Sequence, residues 1–264
     1  MGVPHLFNLG LNMIHIYDAL NVIRIMLETD KTGRAPRNLI TNMLAAPPGE
    51  AHIWCWDGKD AVQTRRFFYP PYKTKRAKHP DDIWPLVNLI RDALRHTNAI
   101  QYNCPGFEAD DVIATVVRAM PNVKKRIHST DRDLGQLLDA NCTATFEPKI
   151  EPKWIRLYKT LVGDPSDTIS GIPKFGGKAW FNLSDGQKAM LMQSLVCGHH
   201  SDLPTYGFWK PVVLNWLQEN HKIVHDMWTI VGLFDVPNDI MQKGLVSGSK
   251  DQSKALALLE RFRH

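Results

Sequence analysis

The chain has 264 residues, 44% of them hydrophobic, with 32 Lys and Arg against 27 Asp and Glu and a pI near 9.0. That is enough apolar material for one large domain, or one with a small appendage. Four cysteines (Cys55, Cys104, Cys142, Cys197) without a CxxC pair argue against structural zinc and fit reduced thiols in a cytoplasm; no apolar run is long enough to span a membrane, and the first six residues lack both a basic signal-peptide front and a myristoylation pattern.

Residues 13–17 form a short apolar run and read as a buried strand. Asp18 stands at its C-terminal end, with Asn21 three residues on, opening a helix over 22–27. An Asp in that place is by itself an ordinary N-cap. A polar loop over 30–38, with Gly33 and Pro36, leads to a helix over 39–46 that Pro47-Pro48-Gly49 ends. The second strand, 51–56, also ends in an acid, Asp57. Two strands each ending in Asp weaken the capping explanation, because open α/β sheets bind ligands beyond the carboxyl ends of their strands.

Over 65–78, Lys and Arg alternate with four aromatics (Phe67, Phe68, Tyr69, Tyr72), and Pro70-Pro71 rule out a regular helix through the middle. Aromatics stack on bases while cations meet phosphates, so Arg65, Arg66, Tyr72 and Lys75 are expected DNA contacts. A helix over 81–96 follows, with Asp81 and Asp82 as its start charges, then a strand over 99–102. Gly106-Phe107-Glu108-Ala109-Asp110-Asp111 opens the next helix, whose apolar side is Val112, Ile113, Val116 and Val117. A strand over 125–130 runs directly into Asp131 and Asp133, and 143–146 reads as an edge strand.

A helix start favours one acid, two at most, because its free N–H groups carry partial positive charge. Five acids converging on one sheet edge repel one another unless a cation sits among them. Carboxylate oxygens suit Mg²⁺ or Mn²⁺. Setting nine acids aside for such a site leaves 18 against 32 cations, an acidic pocket in a basic body that suits a polyanionic substrate.

Beyond Trp154 helices dominate. Asp164 and Asp167 lie three apart at a helix start, and Gly171, Gly176 and Gly177 flank a tight turn into a helix that offers backbone N–H groups to an anion. Lys174 and Lys178 would add phosphate contacts. Helices are expected over 186–198, 208–220, 221–234 and 251–262, with Trp209, Trp216, Leu217 and Trp228 in the core. Cys197, His199 and His200 carry metal-ligand chemistry but read as a helix end. The alternation of strands and helices predicts an α/β fold. A mostly parallel central sheet flanked by helices occupies 1–150, with a basic clamp or arch at 65–97. A helical region follows over 151–264, with the glycine-rich element at 164–180.

Six pieces in this order resemble the flap endonuclease / 5'-3' exonuclease superfamily, in the stand-alone form that phages encode and that also forms the front domain of bacterial DNA polymerase I. They are Asp18 with Asn21; Trp56-Asp57; Arg65-Arg66 with Tyr69-Pro-x-Tyr72-Lys73-x-x-Arg76; Gly106-x-Glu108-Ala-Asp110-Asp111; Ser129-Thr-Asp131-x-Asp133; and Gly163-Asp164-x-x-Asp167 running into Gly171-x-Pro173-x-x-Gly176. The resemblance implies a PIN-like 5'-nuclease fold with a helix–hairpin–helix-type turn and two divalent ions. Asp18, Asp57, Glu108, Asp110 and Asp111 would surround the first ion; Asp131, Asp133, Asp164 and Asp167 would hold the second. It implies Lys73 as catalytic lysine and Arg76 as its companion cation. It also implies DNA 5' ends, flaps or duplex as substrate (with the RNA of RNA–DNA hybrids open), a cytoplasmic monomer, and K⁺ on the carbonyls of the 171–177 turn. Lys174 stands where the family usually has Gly, so its ammonium is the alternative occupant there. The short segment between Lys73 and Glu108 leaves both a threading arch and an open clamp possible. A haloacid-dehalogenase-type phosphatase also uses Asp-x-Asp after a strand, but places it first in the chain. A non-catalytic DNA-binding protein, its acids merely capping helices, is the other alternative.

Overall fold

A computed structural model describes residues 10–76 and 83–260 and divides them into two compact units. The first comprises 10–61, 83–147 and 234–260; the second comprises 62–76 and 148–233. Strands are β1 (Met13–Asp18), β2 (Glu50–Trp56), β3 (Ile100–Asn103), β4 (Lys124–His128), β5 (Cys142–Ala144) and β6 (Leu245–Ser247), all in the first unit. Its helices are α1 (Ala19–Thr29), α2 (Ala35–Leu44), α4 (Ile83–Leu94), α5 (Ala109–Ala119), α10 (Asn238–Gly244) and α11 (Gln252–Glu260). The second unit carries α3 (Gln63–Phe68), α6 (Ile155–Val162), α7 (Gly177–Phe181), α8 (Asp185–Val196) and α9 (Pro211–Val231).

The sheet order is β5-β4-β1-β2-β3-β6, with every pair parallel except the antiparallel β3–β6. The central strand β1 pairs on both edges and is largely buried, as a parallel strand between helix layers must be. Ile14 and Ile16 are fully buried on one side. On the other, Tyr17 stacks between Trp54 and His128 at 4.5 and 4.4 Å, its register partners on β2 and β4. His15, His52 and His128 extend this ladder: His15 Nδ1 lies 3.0 Å from His128 Nε2, and Tyr17 Oη lies 3.0 Å from His52 Nδ1. The parallel order carries the C-terminal ends of β1, β2 and β4 to one edge, which is where Asp18, Asp57 and Asp131 stand.

Four expectations change. The loop expected over 30–38 closes early: α2 begins at Ala35, because Pro36 sits in its first turn, where no N–H is needed, and Asp30 accepts from the Thr32 and Ala35 N–H groups. The helices expected over 208–220 and 221–234 are one helix, α9, since no breaker lies between them. β6, read as neither strand nor helix, pairs with β3 and returns the chain end to the first unit, where α11 packs on α4 and α2. The border expected at 150 therefore differs: 234–260 completes the first unit, while 62–76 belongs to the second, whose core includes Tyr72. The helix expected over 81–96 is α4; Asp81, Asp82, Lys78 and the rest of 77–82 lie outside the described residues. No described helix is long and apolar enough to cross a membrane.

Candidate metal centre

In the first unit β1 delivers Asp18 as the N-cap of α1. Its carboxylate accepts from the Ser129 hydroxyl at 2.7 Å and the Asn21 N–H at 3.4 Å, and it is buried. Ser129 Oγ in turn accepts from the Asp131 N–H at 2.9 Å, and Asp131 caps the short turn Arg132–Leu137 by accepting from the Asp133 N–H at 2.9 Å. Asn21 exchanges hydrogen bonds with Thr130 across 109 positions of sequence. Asp57 Oδ1 accepts from the Ala109 N–H at 2.8 Å, which ties the end of β2 to the start of α5, and the Asp57 carbonyl accepts from Asn103. Glu108, buried, is the N-cap of α5, and Asp110 follows, half-buried. Asp111 is fully buried, with one oxygen accepting from the Glu108 N–H and the other from the Phe234 N–H. These two bonds tie the start of α5 to the 234 segment through Asp111. Ser129 and Thr130 are supporting residues whose roles the sequence reading missed, although both lie inside the Ser129–Asp133 motif.

Burial pushes the Asp18 carboxyl up to about 7 against the Ser129 hydrogen bond, and the nearby Asp57 and Asp131 charges push the same way. That is the mark of a donor set built for a hard dication: oxygen ligands, crowded and partly desolvated, whose repulsion a divalent ion relieves. The linkage can be measured without metal. An unfolded Asp titrates near ~4, so between ~4 and about 7 the folded protein keeps a proton that the unfolded chain has lost, and stability falls as pH rises through that window. Burial holds His52 and His128 down to about 4, so they act oppositely and remove stability as pH falls from ~6.5. The informative quantity is therefore the difference between parent and Asp18→Asn. In EDTA the variant's melting temperature should gain on the parent's as pH rises from 5 to 7.5. A constant difference across that range contradicts the assignment.

In the second unit Lys73 occupies left-handed backbone, φ +53°, a strained place for a side chain of its kind. Its N–H donates to the Asp167 carbonyl at 2.9 Å, and its ammonium lies 3.9 Å from the Asp167 carboxylate and 4.9 Å from the Tyr72 ring centroid. Arg66 fixes this bend by donating to the Tyr72 and Lys73 carbonyls at 3.0 and 3.3 Å. Asp164 caps the turn Pro165–Asp167 and accepts from the Lys159 ammonium at 2.6 Å. Burial pushes the Asp164 carboxyl up, but the Lys159 charge and the Ser166 hydrogen bonds outweigh it and leave a net lowering. Lys159, absent from the sequence reading, is thus the counter-charge of a predicted ligand.

The basic run divides by environment. Arg65 is buried and donates to the Ile230 and Gly232 carbonyls, and Tyr72 is buried in the unit's core. Burial and these partners give both residues a place in the packing of the unit; the long-range carbonyls that hold Arg65 lie beyond any local window. Phe67 is 83% exposed, Phe68 is exposed beside it, and Lys75 and Arg76 are also exposed. Lys174, exposed at the tip of the glycine-rich turn, has φ +64°, backbone of the kind that favours the Gly it replaces.

The turn glycines also divide. Gly171 has φ +65°, and a Cβ there would lie 2.5 Å from Gly163 N, so it is required by the close approach of two backbone segments. Gly176, the N-cap of α7, has ordinary backbone and open space around a Cβ, and Gly177 meets only Tyr158 Oη at 3.8 Å. Gly171→Ala should cost roughly 2 kcal/mol or more, read as a lower urea midpoint. Gly176→Val should leave that midpoint within roughly 0.5 kcal/mol and weaken duplex binding by blocking the N–H groups. A Gly176→Val protein with parental DNA affinity would remove the turn from the interface.

A mostly parallel sheet with acids at its strand ends and a separate helical region defines a PIN-like nuclease fold. The chain belongs to the 5'-3' exonuclease family, whose N-terminal resolvase-like domain model matches residues 28–159. It is 33% identical over 163 residues to a 5'-3' exonuclease of Mycoplasma pneumoniae, covering 54% of this chain and 56% of that one. It is 34% identical over 197 residues to the thermostable DNA polymerase I of Thermus thermophilus, covering 59% of this chain and 24% of the polymerase. The chain thus spans about half, or less, of the length of these curated relatives. In solved structures it shares its fold with the 5'-exonuclease of T5, at a TM-score of 0.64 and 17% identity, over 94% of this chain and 99% of that one.

Proposed function

We propose that the chain is a metal-dependent 5'-nuclease that hydrolyses phosphodiester bonds of DNA at or near 5' ends, as exonuclease, flap endonuclease or both, in replication, repair or primer removal. The observation that carries it is the acid set at the ends of β1, β2 and β4, with Asp18 and Asp131 joined through Ser129, in a chain of this family. The T5 5'-exonuclease has been solved with divalent metal ions (zinc) bound, and a T5 flap endonuclease with DNA and metal ions; the same partners are proposed here.

In the first unit Asp18, Asp57, Glu108, Asp110, Asp131 and Asp133 are proposed as ligands of Mg²⁺ or Mn²⁺; in the second, Asp164 and Asp167 are proposed as carboxylate ligands of the same kind of ion. Such ions would activate the attacking water and stabilise the leaving oxygen. Ser129 orients Asp18 and Asp131 together, and Asn21 fixes the loop that carries Asp131. Lys73, preorganised by its strained backbone and by Arg66, is proposed to offset charge developing on the scissile phosphate, with Arg76 beside it in sequence. Arg66, Lys75, Lys174 and Lys178, with the Gly171–Gly177 turn, are proposed for the duplex. Lys174 or K⁺ would supply the turn's positive charge. Phe67 and Phe68, exposed on α3, are placed to stack on unpaired bases. The protein is proposed to act as a cytoplasmic monomer on DNA, or on the RNA of RNA–DNA hybrids.

The test is cleavage of a 5'-labelled duplex bearing a 5' flap, beside a blunt duplex and single strand, with and without Mg²⁺. Metal-dependent short 5' products support the proposal, and the flap-to-blunt ratio separates endonuclease from exonuclease. DNA binding without cleavage under any metal would make the protein a binder. Phosphate release from small esters alone would point to the phosphatase.

A further inference from the structure

The second unit carries a group of metal-ligating side chains that the nuclease reading does not use. His221 and His225 stand one turn apart on the same face of α9, and His200 opens the short helical turn His200–Thr205 that packs on it. His200 Nδ1 lies 3.0 Å from His221 Nδ1. The His225 ring meets His200 edge-on, with centroids 4.8 Å apart. Cys197, grouped with His199 and His200 by sequence, is instead the C-cap of α8, its sulfur accepting from Gln193.

We propose that His200, His221 and His225 form a binding site for a borderline transition-metal dication, of which Zn²⁺ is the representative, distinct in chemistry from the carboxylate site. Two facing imidazole nitrogens with no ion between them must share one proton. Nitrogens bound to a tetrahedral zinc at about 2.0–2.1 Å lie about 3.3 Å apart, close to the separation already present. Only His200 and His221 already present their nitrogens to each other; His225, edge-on to His200 and 35% exposed, would supply the third nitrogen after a turn of its ring. Imidazole selects Zn²⁺, Ni²⁺ or Cu²⁺, whereas oxygen sets suit Mg²⁺ and Mn²⁺. The charges facing the trio are the Asp226 carboxylate, 3.9 Å from His225 Nδ1, and Lys222, which pairs with Asp226 at 3.0 Å. Burial and the neighbouring His225 and His221 keep His200 below its ordinary value, so its nitrogen is available to a metal near neutrality. A bound ion would staple the 200–205 turn to α9.

The test uses the full chain, stripped with EDTA and then dialysed against Zn²⁺ in excess Mg²⁺, with bound zinc counted. The parent should retain one more equivalent of Zn²⁺ than His221→Ala/His225→Ala at pH 7.5. Zn²⁺ should raise the melting temperature of the parent more than that of the variant. Asp131→Asn/Asp133→Asn should keep the extra equivalent, which separates this site from the nuclease centre. If the double variant melts lower than the parent in EDTA, His200→Asn replaces it. Equal zinc content in the parent and a folded histidine variant overturns the proposal.

Discussion

Asp131→Asn and Asp133→Asn should each slow cleavage of a 5'-flap duplex by on the order of a thousand-fold, because losing a metal-holding charge forfeits several kcal/mol of transition-state stabilisation. The fold should be untouched. Asp131 Oδ1 accepts from the Asp133 N–H and Ser129 Oγ accepts from the Asp131 N–H; an Asn keeps both bonds and loses only the charge. Duplex affinity should be equal to the parent's or tighter, since removing an anion eases the approach of phosphates. Single-turnover rates and equilibrium binding in Ca²⁺ or EDTA separate the two quantities. Parental cleavage by both variants would remove these acids from the metal centre.

Lys73→Ala should lower turnover by roughly a hundred- to a thousand-fold, the range for removing one preorganised charge that faces a developing anion, while duplex affinity changes little. Its backbone complicates the reading: φ is +53°, so Ala stays strained and Gly does not. Lys73→Gly is the control. If the ammonium carries the effect, Gly and Ala lose the same turnover while Gly is the more stable protein by urea midpoint. If Gly restores activity, the bend matters and the charge does not. Equal losses in affinity and turnover would make Lys73 a docking residue only.

Asp18 and Asp57 were legible because each closes a strand whose apolar run is local; Asp131 and Asp133 were legible as a paired motif just past β4. Two facts supplied the rest: parallel strands share one carboxyl edge, and crowded carboxylates need a cation. The environment of each acid was not legible. Asp111 and Asp110 are neighbours in one motif, yet Asp111 is enclosed by the Phe234 N–H, 123 positions away. Asp164 looked like a free ligand until Lys159, one helix turn before it, proved to lie 2.6 Å from its carboxylate. The surroundings of the basic run were hidden for the same reason. Arg65 and Arg66 are adjacent and chemically identical, but Arg65 is drawn into a core by the carbonyls of 230 and 232, while Arg66 clamps the bend before Lys73.

The α/β alternation, the acid-bearing strand ends, the glycine-rich turn and the family resemblance could all be read from the amino-acid order. All of these are written in short windows, through side-chain period, strand-end chemistry and backbone freedom. Tertiary structure alone decided that a three-residue strand at 245–247 closes the sheet against β3, that 62–76 joins the second unit, and that His200 meets His221 and His225. Each depends on segments distant in the chain being brought together, and the free energy of that pairing lies in burial and hydrogen bonds that no local pattern records.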